Sequence, residues 1–211
     1  MLAPSPMGKA STTAIALVAL LCAGCGNWSG FGFRADGPEM LRIRQVLALK
    51  EGMAVADVGA GKGELTLALA REVGSNGRVF STEIDAARLR RLREAVGDAK
   101  LDNVTVVQAQ SRETGLAPNC CEAIVLRRVY HHLTDSSSVN ASLLQSLRPG
   151  GVLVVIDLPP PFSWMRGSLG VSAEAVVDEI KRSGFEPLQL IKDWPGRGPL
   201  ESYCAVFRKP S

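Results

Sequence analysis

The twelve residues from Val55 to Thr66, VADVGAGKGELT, set an acid and three glycines in the order Asp57, Gly59, Gly61, Gly63. Glycine at that density lets the backbone turn tightly, or lets another molecule approach it closely. Three kinds of ligand compete for such a loop. A phosphate-binding P-loop needs a lysine and then Ser or Thr after its last glycine, but Gly63 is followed by Glu64 and Leu65. A dinucleotide fingerprint needs Gly or Ala at its third position, and counted from Gly59 and Gly61 that position is Glu64. Its bulk and charge suit neither close helix packing nor a pyrophosphate. An acid at a strand end, facing the loop, asks for a cationic ligand group. The ligand read from this pattern is not a phosphate.

Other groups able to do chemistry are few. Glu83 closes a second apolar run, 26 residues after Asp57. The only histidines, His131 and His132, lie in RRVYHHL, from Arg127 to Leu133. Of two adjacent side chains one normally points away from a site; Tyr130 and His131 are expected to face it. Neither histidine has a cysteine at a spacing that suits zinc, so no metal is expected. Cys120 and Cys121 are adjacent and Cys204 makes an odd third, which indicates no disulfide framework.

These groups need a scaffold, and the rest of the chain supplies the pattern of one. A length of 211 residues suits one domain of ordinary size. Hydrophobic residues at 46% and charged residues at 21% are ordinary for a globular protein. A net charge of +3 is too small to argue for nucleic acid, and RLRRLR at 88–93 reads as a solvated helix face. From Gly37 onward helical and strand patterns alternate. PEMLRIRQVLAL has the spacing of an amphipathic helix and MAVADVG that of a short buried strand. ELTLALAREVG is a helix closed by Gly74, and GRVFSTEI a strand. Asp85 is placed to cap the helix DAARLRRLREAVGDAK. NVTVVQA and EAIVLRR are strands, and DSSSVNASLLQSLRPGG a helix stopped by Pro-Gly-Gly. VLVVIDL is a fifth strand and SAEAVVDEIKRSGF a further helix, with EPLQLIKDW and ESYCAVFRK a final strand pair. Such alternation implies an α/β fold with a mainly parallel sheet covered on both faces. The glycine loop then falls at the carboxyl end of the first strand, where open parallel sheets bind ligands.

The first 25 residues read as something apart. Lys9 precedes an uncharged apolar stretch from Thr13 to Cys22, and small residues follow up to Cys25. The stretch is too short to span a bilayer and suits the apolar region of a secretory signal. LLCAGC resembles the lipobox of bacterial lipoproteins, which implies a lipid-modified Cys25 and a cell-envelope location. An uncleaved anchor or an overextended gene start are the alternatives; if the leader is not functional, the protein is expected in the cytoplasm. Residues 26–36 read as a tether and 37–211 as the domain.

At VADVGAGKGELT and Glu83 the sequence resembles the Rossmann-like class I S-adenosylmethionine-dependent methyltransferases, over roughly residues 37–208. The resemblance implies a doubly wound, mainly parallel, seven-stranded sheet with an antiparallel final strand. It also implies S-adenosylmethionine as cofactor, with Asp57 near its ammonium, Gly59, Gly61 and Gly63 along it and Glu83 on its ribose. It places Gln110 and Ser111 near the adenine, where the family often has Asp. Methyltransferases that carry a segment like RRVYHHL imply a chemical role for His131 and Tyr130 beside the methyl group. DLPPPFSWMRG, with Phe162 and Trp164, is expected to line the acceptor pocket. Leu158 stands before Pro159, where enzymes methylating amide or base nitrogens have Asn or Asp. A small-molecule acceptor is expected. The alternative is an envelope-anchored protein that binds the cofactor, or its demethylated product, without transfer.

Overall fold

The computed structural model describes residues 33–160, 170–195 and 202–211. The leader, most of the tether, and Phe162 and Trp164 of the expected acceptor pocket lie outside those residues. The elements run α1 (Pro38–Val46), β1 (Ala54–Val58), α2 (Glu64–Val73), β2 (Arg78–Glu83), α3 (Ala86–Asp98), β3 (Val104–Gln108) and β4 (Cys121–Arg127). A short 3-10 turn, Tyr130–His132, leads to α4 (Ser136–Ser146), β5 (Leu147–Asp157), α5 (Ala173–Arg182), β6 (Glu186–Trp194) and β7 (Ser202–Arg208). The strands form one sheet in the order β3-β2-β1-β4-β5-β7-β6. Pairings among β1 to β5 are parallel, and β7 runs antiparallel to both of its neighbours.

Strands buried on both faces must be apolar at nearly every position, and the period of two sorts their side chains. Val55, Ala123, Val125, Val154 and Ile156 pack with α1 and α2. Ala56, Ile124, Leu126, Leu153 and Val155 pack on the other face with α4 and α5. Full burial of one such side chain contributes about 1.5–3 kcal/mol. The same alternation decides where the polar residues at the strand ends point. Asp57 follows Val55 by two and lies under α2; Arg127 follows Val125 by two and meets α1.

The helices begin where side chains satisfy free backbone donors. Asp85 accepts from the Arg88 amide at 2.8 Å, Asp135 from Ser138 at 3.0 Å and Ser172 from Ala175 at 3.2 Å. One element boundary differs from expectation. LRPGG does not stop α4: that helix ends at Ser146, and Leu147 is already extended and paired with Cys121. The register then shifts before Ala123 pairs with Val152. Pro149 fits this irregularity because it has no amide to give to a ladder. The Gly150 amide instead bonds the Lys209 carbonyl at 2.9 Å. Strand pairing, not the Pro-Gly-Gly signal, ends the helix.

Candidate active site

The sheet winds outward in both directions from β1 and β4, which makes their carboxyl ends the switch point where a crevice must open. The loop from β1 to α2 is fastened there by the Gly59 and Ala60 amides, both donating to the Thr82 carbonyl at 2.9 Å. Its glycines answer separate demands. Gly59, at φ +75°, passes so near the segment after β4 that an added Cβ would lie 2.5 Å from a Val129 methyl. Gly61, at φ +58°, has nothing within 4 Å of such a Cβ, so its open side leaves room for a ligand. A Cβ on Gly63 would meet Leu92 of α3 at 2.7 Å.

Glu83, almost wholly buried at the end of β2, holds this loop. Its Oε2 accepts from the Gly61 amide at 3.0 Å, and its Oε1 from Ile84 and Asp85 at 2.9 and 3.0 Å. A carboxylate offers about four acceptor positions, so Glu83 retains capacity for a further donor. Glu83 also lines a cavity of about 310 Å³ together with Gly59, Gln110, Ser111, Val129 and His132. Its other walls include Val58, Ile84, Ala109, Leu133 and Val139. Ile84 is 53% exposed, an apolar surface at the cavity's edge suited to a flat ring. Four expected cofactor residues, Gly59, Glu83, Gln110 and Ser111, thus meet around one space.

Asp57 stands elsewhere. It is 2% exposed and lies beneath α2, where Thr66 Oγ1 donates to its Oδ2 at 2.7 Å and Ser81 Oγ donates to Thr66 Oγ1 at 2.8 Å. Burial pushes its carboxyl up to about 6, against the lowering hydrogen bond from Thr66. In this geometry the carboxylate braces the loop from below and does not line the cavity.

The turn after β4 separates the three residues of Tyr130–His132. Tyr130 is buried, donates to Glu179 Oε2 at 3.0 Å and accepts from Asn140 Nδ2 at 2.8 Å, which points it between α4 and α5 and away from the cavity. Its hydroxyl is pushed up by burial. His131 is held by Asp157, the last residue of β5. Its Nδ1 lies 2.7 Å from Asp157 Oδ1 and its amide donates to Oδ2 at 3.2 Å. The two side chains are 8% and 0% exposed. The ring facing the cavity is that of His132, its centroid 3.9 Å from that of His131 at a tilt of 46°, and its pKa is lowered by partial burial and by that neighbour.

The backbone around this turn is constrained. Arg128 adopts φ +58° while its amide bonds the Ile156 carbonyl at 2.7 Å. A non-glycine residue in the left-handed region is costly and is kept where the surroundings over-determine it. Arg127 forms a two-pronged pair with Glu39 of α1, at 3.0 and 2.8 Å. Asp157, His132 and Ile84 escaped the sequence reading. The first had a usable signal: an acid ending the strand beside the histidine-bearing one. Among the described residues no group of three or more His, Cys, Asp or Glu could hold a metal ion.

A carboxylate and a polar turn around an apolar slot form a crevice at the switch point of a doubly wound sheet, where open α/β sheets bind ligands. S-adenosylmethionine is compatible with this lining: a buried carboxylate with a remaining acceptor position, an exposed apolar side chain at the slot's edge and an open glycine flank. The chain belongs to the methyltransferase-domain family, whose model matches residues 49–183, and its class is that of the S-adenosylmethionine-dependent methyltransferases. The ubiquinone/menaquinone biosynthesis C-methyltransferase UbiE of Idiomarina loihiensis is 31% identical over 116 residues, 54% of this chain and 46% of that protein. The chain therefore spans about half the length of the curated relatives it matches. A SAM-dependent methyltransferase from Aquifex aeolicus superposes with a TM-score of 0.70 at 21% identity, over 84% of this chain and all of that one. Phosphoethanolamine N-methyltransferase 2 of Haemonchus contortus, solved with S-adenosyl-L-methionine, gives 0.70 at 15% identity, over 88% of this chain and 53% of that one.

Proposed function

We propose that this protein transfers a methyl group from S-adenosylmethionine to a small-molecule acceptor, at a carbon or oxygen that must lose a proton. The observation that carries the reading is the pair His131–Asp157 at the carboxyl edge of the sheet, one residue along from the cavity wall. The C-methyltransferase relatives support an acceptor carbon, since a C–H nucleophile needs a base. When bound, the cofactor supplies an electrophilic methyl group on a sulfonium. Glu83 holds the ribose, the loop at Gly59 and Gly61 admits the chain, and Val129, Leu133 and Val139 keep water from the slot. Asp157 accepts from His131 Nδ1 and so fixes the ring's tautomer, leaving Nε2 to take the acceptor's proton. Tyr130 positions the turn through Asn140 and Glu179.

The test incubates the purified protein with methyl-labelled S-adenosylmethionine and small-molecule fractions of a cell extract, and follows label into products by mass. A labelled small molecule is expected, with His131→Ala lowering its formation while cofactor affinity stays near that of the parent. Cofactor binding with no product from any fraction would contradict transfer and leave a protein that only binds S-adenosylmethionine. Equal loss of turnover and affinity in His131→Ala would make this histidine a packing residue.

A further inference from the structure

Two thiols at the amino end of β4, across the sheet from the cavity, take no part in this chemistry. Cys120 Sγ and Cys121 Sγ lie 2.8 Å apart, the first half-buried and the second fully buried. The surroundings fix them there. Asn119 adopts φ +51° and receives Lys209 Nζ on its side chain at 3.1 Å and Arg148 Nε on its carbonyl at 3.3 Å. Arg148 in turn pairs with Glu122 at 2.9 Å, and its charge acts on both sulfurs. Cys121 occupies the register shift between β4 and β5 described above.

We propose that Cys120 and Cys121 form a vicinal dithiol site that captures thiophilic trivalent arsenicals. Proximity comes first: both sulfurs already converge on one point reached through the half-buried Cys120. Reactivity follows from the pair itself. Its mutual hydrogen bond pushes the Cys120 thiol down and the Cys121 thiol up, with Arg148 lowering both, and the thiolate is the form that attacks. A direct disulfide is the poorer outcome. Consecutive α-carbons sit about 3.8 Å apart, short of the roughly 4.4 Å at which disulfides begin. A soft atom set between the sulfurs relieves that strain and matches the softness of thiolate ligands. With an arsenic(III) oxide as reagent, two As–S bonds replace the As=O bond. The oxide oxygen leaves as water with the two thiol protons, and arsenic stays trivalent throughout.

The probe is phenylarsine oxide, applied to the native full chain, followed by intact and peptide mass measurement. Cys22 and Cys25 are changed to serine in a parallel preparation, so that no thiol of the first 25 residues contributes. One equivalent is expected on the peptide holding Cys120 and Cys121. It should survive excess glutathione, a monothiol, and be released by dimercaptopropanol, a dithiol. Cys120→Ser, at the half-buried position, should lose this glutathione-resistant adduct, and so should Cys121→Ala, while Cys204→Ser retains it. Stripping of the adduct from the native chain by glutathione would overturn the proposal, as would its survival in Cys120→Ser. Neither outcome bears on methyl transfer.

Discussion

Burial pushes the Asp57 carboxyl up from 3.8 to about 6. A raised carboxyl is favoured by folding in its protonated form. Its stabilising share is therefore complete below the unfolded value and lost as pH rises through about 6, an effect on the order of 3 kcal/mol. Asp57→Asn keeps an acceptor for Thr66 and removes the titration. Denaturant unfolding between about pH 4 and 7 should show the parent losing stability relative to the variant; parallel profiles would contradict this. The glycines separate packing from binding in a similar way. Gly59→Ala meets Val129 and should cost about 1–3 kcal/mol of stability. Gly61→Ala meets nothing, costs about 1 kcal/mol for its positive φ, and should show its larger effect in cofactor affinity. Thermal unfolding beside cofactor titration of both variants reads the difference. The loop's ligand class was legible from residue types, because Glu64 and Leu65 ruled out phosphate. The direction of Asp57 was not read, although counting by twos from Val55 sends it under α2.

At the scale of elements, α1 is joined to the end of β4 by Glu39, which takes two bonds from Arg127 and a third from Trp194 Nε1 at 3.4 Å. Both charged side chains are largely buried, so removing one leaves the other uncompensated, at a cost of about 3 kcal/mol. Glu39→Ala should lower stability by that amount and speed amide exchange in α1 before the rest of the sheet. Uniform protection across α1 in the variant would show that the helix is held by its apolar face alone. Element types and order were readable because strand runs and helix repeats differ in period, and because Asp85 and Gly74 mark ends by local chemistry. LRPGG misled because a helix stop and an irregular strand opening use the same residues; only the pairing of Leu147 with Cys121 distinguishes them. The turn at Tyr130–His132 shows the same limit. Which of two adjacent histidines faces a cavity depends on Asp157, supplied by a strand that follows it in sequence.

Across the whole molecule, sequence and structure divide the work. The mainly parallel sheet was implied by alternation, since parallel strands need crossovers and crossovers need helices, whereas the doubly wound order was implied by resemblance. The gathering of Glu83, Gln110 and Ser111 was implied only by resemblance, because nothing local fixes how far apart strand ends lie. The leader stands on residues 1–25 alone, and we propose that it carries the protein to the cell envelope on a lipidated Cys25. Cys25→Ser should abolish metabolic lipid labelling of the full chain; a parent that takes no label would refute the envelope location and leave the cavity's chemistry intact. The most direct test of the central claim is calorimetric titration of the full chain with S-adenosylmethionine, beside Glu83→Gln checked for folding. One saturable site is expected in the parent, weakened in the variant by about 1.5–3 kcal/mol, or one to two decades. Absence of saturable binding in the parent, or equal affinity in a folded Glu83→Gln, would contradict it.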